Sequence, residues 1–227
     1  MKKYSLEQFL NDPCADIGTG LLVTRGSGFC FSLKKTSRWG KNEQGISVLF
    51  FGGIGGKLEN NELPSHSLHR ESLEEVGSDI RIIHSGERAV LMDAESIRVV
   101  LMSNNIEKEP LPFMIFRSPR SEAGRKPFTN ILTYLGEFSS LKKIRPLDDP
   151  ALIELNKGLL LETLKKDITV REFKRLGGKI QSRINLPQDG IIKPIGTAIA
   201  AVRCVEKETI IEDMRLRKEA RELWQKF

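Results

Sequence analysis

Apolar residues follow two rhythms along this chain, and the switches between them mark out its elements. Gly18 to Thr24 and Gly28 to Leu33 are two apolar runs on either side of Arg25-Gly26-Ser27, the pattern of a hairpin. Ile46 to Phe51 reads as a strand that ends in glycines. Asp79 to His84 alternates like a strand, and Ser96 to Ser103 and Phe113 to Arg117 read as further strands. Asn130 to Phe138 is the strongest later strand. Helical spacing predicts Ser5 to Leu10, with Ser5 and Gln8 as a capping box. It predicts a second helix over Ser65 to Val76. A third covers Asp149 to Lys165, where Leu152, Leu155, Leu159, Leu160 and Leu164 recur. Lys34 to Gly45 is polar and predicts a loop. Ile191 to Val202 is apolar but contains Pro194 and Gly196, so a loop and a buried strand both fit it. Lys207 to Phe227 predicts an amphipathic helix, with Ile210, Ile211, Met214, Leu223 and Trp224 near one face. Docking on the core, a homodimer interface and a partner's surface are all open to that helix, and docking is the commonest outcome.

The 227 residues fit one large domain, or a core with an extension. A net charge of +6 favours polyanionic ligands. The basic residues are spread out and match no nucleic-acid-binding pattern, so nucleic acid is not the expected partner. The densest basic stretch with turn residues is Arg117 to Lys126, holding Arg117, Arg120, Arg125 and Lys126. It reads as a solvated loop before a phosphate contact. Cys14, Cys30 and Cys204 lie far apart and form neither a metal spacing nor a disulfide framework. His66, His69 and His84 have no partners at zinc-ligand spacing. The N-terminus has no signal-peptide pattern and no run approaches eighteen apolar residues, so no membrane contact and a cytoplasmic protein are expected.

Chemistry concentrates between Gly56 and Ser78. On the helix there, Leu68, Ser72, Leu73 and Val76 fall on one side. Glu71, Glu74 and Glu75 fall on the other, within about 100° of arc. Glu71 and Glu75 repel at i, i+4, a few tenths of a kcal/mol that a divalent cation removes. Mg²⁺ suits such carboxylates and keeps positions for water and substrate phosphate. A glycine run, Gly52-Gly53-Ile54-Gly55-Gly56, precedes the helix. It lets backbone approach a ligand closely, and no Gly-Lys-Ser/Thr follows to make it a P-loop.

Gly56, Glu62, Arg70, Glu71, Glu74, Glu75 and Gly77 stand at the spacing G-x5-E-x7-R-E-x-x-E-E-x-G. With each residue at a background of roughly 7%, seven such matches in one window have a probability of about 10⁻⁸. The chain resembles the Nudix hydrolases, whose box has this spacing. Two usually apolar positions are Ser72 and Ser78 here, and Ile54 stands where a proline is common.

The resemblance implies an α/β fold, an α/β/α sandwich with a mixed sheet. It would span residues 1–166, with an insertion near residues 86–127 and a C-terminal, mainly helical extension over 167–227. It implies Mg²⁺ or Mn²⁺ held by Glu71, Glu74 and Glu75, with the Gly55 carbonyl as a further ligand. Arg70 would hold a carboxylate in position, with Glu62 as its partner. Gly56 and Lys57 would meet substrate phosphate. The implied reaction is cleavage of a pyrophosphate linkage in a nucleoside diphosphate derivative, with Glu71 or Glu75 accepting the water's proton and Glu137 as a candidate base outside the box. The markers of several subfamilies are absent, since Asp93, Ala94, Glu95 and Ser96 stand where proline or tyrosine would. Capped RNA stays among the candidate substrates. The alternative is a nucleotide-binding or regulatory module on the same fold, without catalysis.

Overall fold

The computed structural model describes every residue except 26–27, 121–125, 141–143, 208–211, 213, 215 and 227. The chain opens with β1 (Lys3–Ser5), α1 (Leu6–Leu10), β2 (Ala15–Arg25) and β3 (Gly28–Leu33), followed by β4 (Gly40–Lys41) and β5 (Ser47–Gly52). The box helix is α2 (Pro64–Val76). Then come β6 (Ile80–Ile83), β7 (Arg88–Met92), β8 (Ile97–Ser103), β9 (Met114–Pro119) and β10 (Phe128–Phe138). The last third holds β11 (Ala151–Leu155), α3 (Lys157–Lys165), β12 (Ile168–Thr169), α4 (Val170–Arg175), β13 (Lys179–Ser182), β14 (Ile191–Pro194), α5 (Thr197–Glu206) and α6 (Lys218–Lys226).

These strands make one mixed sheet in an α/β fold. Its central run is β10-β2-β3-β5-β14. β2 and β10 run parallel, in register from Ala15 opposite Phe128 to Val23 opposite Gly136. β3 is antiparallel to β2, as the hairpin reading predicts, although the turn residues Gly26 and Ser27 lie outside the described residues. Successive residues of a strand point to opposite faces, and each face carries its own apolar cluster. Leu21 and Val23 join Leu68 and Val76 of α2 on one face. Leu22, between them, joins Leu159 and Leu160 of α3, Ala198 and Val202 of α5, and Leu223 and Trp224 of α6 on the other. No described helix is long and apolar enough to cross a membrane.

Three expectations are corrected. The helix expected over Asp149–Lys165 is two elements. Ala151–Leu155 is a strand pairing antiparallel with β3, and the helix starts only at Lys157, where the Asn156 side chain accepts from Leu159 N. The leucine spacing suits a helix, but the Ala-Leu-Ile-Glu-Leu stretch fills a place beside β3 that only tertiary context reveals. The segment after residue 167 holds more than the expected helices, here α4, α5 and α6. It contributes β12, β13 and β14, and β14 pairs parallel with β5, the strand that leads into the glycine run. Pro194 ends that strand and Gly196 precedes α5, so Ile191–Val202 is a strand followed by a helix. The helix expected over Lys207–Phe227 is interrupted as well, because Leu216 and Arg217 are non-helical. Met214, Leu223 and Trp224 are buried in the core, while Ile210 and Ile211 lie outside the described residues.

Candidate active site

The glycine run leaves β5 and lies along β2. Leu21 N donates to Ile54 O and Thr19 N to Gly56 O, each at 2.8 Å. A Cβ on Gly56 would stand 2.3 Å from Glu71 Oε1, so glycine is what admits this carboxylate against the backbone. A Cβ on Gly55, at φ +137°, would meet Thr19 O at 2.4 Å. The loop is therefore shaped around α2 on one side and β2 on the other.

Pro64 opens α2 at its first turn, where a missing N–H costs nothing. Glu109, from a distant loop, accepts from both Ser65 N (2.8 Å) and Ser65 Oγ (2.6 Å). An acidic group there satisfies an end donor and complements the helix dipole. Gly77, with left-handed backbone at φ 67°, closes the helix. Ser72 Oγ donates to the Ser78 carbonyl and Ser78 Oγ to Ser140 O. The two serines at usually apolar positions thus tie the helix end to the next loop.

Leu68, Ser72 and Val76 point into the protein as expected, but Leu73 is 51% exposed. The buried side is centred nearer Glu75, which is only 7% exposed. The three box carboxylates accordingly have different surroundings. Arg70 holds Glu62 with a two-armed fork, Nε to Oε1 at 2.9 Å and Nη2 to Oε2 at 3.1 Å. Its Nη1 reaches Glu71 Oε1 at 2.9 Å and the exposed Glu74 at 3.2 Å. The Arg70 hydrogen bonds hold the Glu62 carboxyl below the usual range, against its burial. Burial raises Glu71, with Arg70 opposing it.

Glu75 faces inward. Its Oε1 accepts from Lys34 Nζ at 3.2 Å, and the same ammonium reaches Asp149 Oδ2 at 3.1 Å. Ser32 Oγ donates to that Asp149 oxygen at 2.7 Å. Burial pushes Glu75 up to about 7, with Lys34 pulling it down and Asp149 adding to the rise. Burial opposes the charge on Lys34, but Glu75 and Asp149 outweigh it and raise the ammonium above its ordinary value. Glu75 Oε2 is buried and has no hydrogen-bond partner.

Glu71, Glu74, Glu75, Lys34 and Asp149 open on one cavity of about 520 Å³. Its acidic lining is Asp16, Glu71, Glu74, Glu75, Asp148 and Asp149, and its basic lining is Lys34, Lys35, Arg38, Lys57 and Arg120. Gly55, Gly56, Ile195 and Thr197 also line it. Of the sequence-predicted residues, Glu62, Arg70, Glu71 and Glu74 thus form one ion-pair network, Glu75 is separated from it, and Lys57 lines the cavity. Glu137 is elsewhere, paired with Arg81 at 2.8 Å. Arg120 reaches the cavity beside Asp16, Arg117 pairs instead with Asp12, and Arg125 lies outside the described residues. Lys34, Asp148, Asp149 and Glu109 escape sequence reasoning. Lys34 looks like the polar start of a loop, and nothing local links it to Asp149, 115 positions away.

As the side chains stand, no group of three or more His, Cys, Asp or Glu converges to hold a metal ion among the described residues. Arg70 and Lys34 occupy the carboxylates instead. The donor set still fits a divalent cation: carboxylate oxygens line one cavity, and one of them, Glu75 Oε2, is buried without a partner.

The chain resembles the Nudix hydrolase family. No family model matches it, and no curated protein matches it. Among solved structures it is similar to the E. coli ORF135 protein, at 13% identity and a TM-score of 0.38, over 71% of this chain and 79% of that one. It is similar to a NUDIX-family hydrolase from Clostridium perfringens (14%, TM-score 0.39, 64% and 83%). It is also similar to a MutT NUDIX hydrolase from Burkholderia pseudomallei (15%, TM-score 0.38, 83% and 96%). At TM-scores below 0.4 these likenesses do not bear on what the chain does.

Proposed function

We propose that this chain is a metal-dependent hydrolase that cleaves a pyrophosphate linkage in a nucleoside diphosphate derivative. The observation that carries the reading is one cavity in which the box carboxylates Glu71, Glu74 and Glu75 meet Lys35, Arg38, Lys57 and Arg120. Carboxylates alone would repel a polyphosphate, and basic residues alone would bind it without activating water.

Glu71, Glu74 and Glu75, with the Gly55 carbonyl, would hold Mg²⁺ or Mn²⁺. A bound ion supplies neutralisation of phosphate charge and a more acidic water. The chain's own residues do the rest. Lys57 and Arg120, both in the cavity lining, bind phosphate oxygens and hold the linkage for in-line attack. Arg70 orients Glu71 through the fork anchored on Glu62. Glu71 or Glu75 takes the water's proton.

One observation favours a second reading, a binding module without catalysis: every box carboxylate is held by Arg70 or Lys34 as the side chains stand. A release assay separates the two. Nucleotide sugars, dinucleotides, nucleoside triphosphates and capped RNA are incubated with the protein and Mg²⁺ or Mn²⁺. The enzyme reading expects a nucleoside monophosphate or inorganic pyrophosphate from some member, abolished by chelation. Tight binding of a member with no turnover of any establishes the module.

A further inference from the structure

Lys34 is a buried cation bonded to the innermost box carboxylate, and the motif does not account for it. Its side chain is 11% exposed, and those of Glu75 and Asp149 are 8% and 4% exposed. Its position is fixed from several directions. Lys34 N donates to Phe50 O at 2.8 Å, and Trp39 Nε1 donates to Lys34 O at 2.7 Å. A Cβ on Gly52 would stand 3.5 Å from Lys34 Cε, so the aliphatic stem lies over a glycine of the strand that leads to the loop. The ammonium is delivered to one place, between two carboxylates that come from α2 and from the loop before β11.

With Glu75 ionised, the charges there sum to minus one: one ammonium against Glu75 and Asp149. Glu75 Oε1 is taken by Lys34, and Oε2 is buried without a partner. An ion approaching Glu75 therefore meets one free oxygen and a positive charge on the other. Without Lys34, Glu75 would be free and Asp149 would keep its bond from Ser32 Oγ, the two carboxylates lying within the span of a single ammonium and together carrying minus two when both are ionised.

We propose that Lys34 is a built-in cation that competes with the divalent ion for Glu75 and so weakens metal binding at this site. The inference rests on the reading of Glu75 as a metal carboxylate. A merely structural salt bridge makes a different prediction, because its loss would destabilise the protein and leave metal affinity equal or lower. A competing cation, once removed, leaves a tighter metal site.

The test uses the full chain and Mn²⁺ alone, with affinity read by electron paramagnetic resonance and calorimetric titration at fixed pH and ionic strength. A positive charge within hydrogen-bond reach of a ligand oxygen weakens a dication by about tenfold or more. Lys34→Met keeps the stem and removes the charge, and Mn²⁺ binding is expected to tighten by about tenfold or more. Asp149→Asn removes the rival carboxylate and leaves Lys34 to Glu75 alone, and binding is expected to weaken by about tenfold. Opposite shifts support the proposal. Folded Lys34→Met that binds no more tightly than the unsubstituted chain overturns it, as do two shifts in the same direction. If Lys34→Met does not fold, Lys34→Gln takes its place: tighter binding supports the competition, and equal or weaker binding overturns it. Mn²⁺ bound by neither the unsubstituted chain nor Lys34→Met overturns the metal reading itself, and this inference with it.

Discussion

Arg70→Gln is the perturbation whose size the site best defines. The guanidinium makes four contacts with three carboxylates. They are not equal. The Glu74 side chain is 57% exposed, so its i, i+4 contact contributes a few tenths of a kcal/mol. The Glu62 and Glu71 side chains are 13% and 15% exposed, and Arg70 itself 29%. Exposed ion pairs contribute up to about 1 kcal/mol, and breaking buried pairs costs about 3–5 kcal/mol. A partly screened fork lies between, so Arg70→Gln should lose about 2–3 kcal/mol in the presence of chelator. Arg70→Lys keeps charge but not the fork and should lose less, about 1–2 kcal/mol. Urea unfolding read by circular dichroism measures both, with an unchanged m-value as the check that the same transition is compared. Adding Mg²⁺ should restore more stability to Arg70→Gln than to the unsubstituted chain, because a cation then faces Glu71 and Glu74 in place of the guanidinium. A loss below about 0.5 kcal/mol for Arg70→Gln would sink the reasoning, since the fork would then be no stronger than an exposed surface pair.

Glu75→Gln should lower turnover about 10²-fold or more, since metal stabilisation of transition-state charge is worth several kcal/mol, and a steady-state assay showing normal turnover would remove Glu75 from the site. Ser72→Ala should cost about 1 kcal/mol in urea unfolding because it leaves the Ser78 carbonyl without its donor, and no measurable loss would mean that bond is not formed. Trp224→Ala should cost about 3–5 kcal/mol: the ring is 4% exposed, with centroids 5.3 Å from Phe113 and 6.0 Å from Phe29. A thermal melt unchanged by that substitution would mean α6 does not dock on the core.

The parts of the fold that were legible are those whose signal is local. β2, β3 and β10 have strong runs, and Ser5 with Gln8 forms the capping box its sequence predicts. α2 carries its own start and stop in Pro64 and Gly77. Where the local pattern misleads or leaves a choice open in the last third of the chain, pairing over long distance decides. Ala151–Leu155 is a strand because β3 and β13 lie beside it. Ile191–Pro194 is a strand because β5 offers a parallel edge 143 positions earlier, Val48 opposite Ile191. Leu73 looks apolar-inward on a helical wheel, but the sheet meets α2 on the arc that includes Glu75.

The candidate site divides along the same line. Glu62, Arg70, Glu71 and Glu74 close into a network within one loop and two helical turns, so their spacing is their geometry and can be read from the sequence. The basic side of the cavity has no such spacing. Lys34 follows β3 and Arg120 follows β9, and only the order of strands in the sheet brings them to one place. Burial then separates chemically identical residues. Glu74 and Glu75 are neighbours in sequence, yet one is a solvated partner of Arg70 and the other is pushed up to about 7 beside a buried lysine. A motif specifies which carboxylates are present. The fold decides which of them are already neutralised, and therefore which one a cation must win from the protein itself.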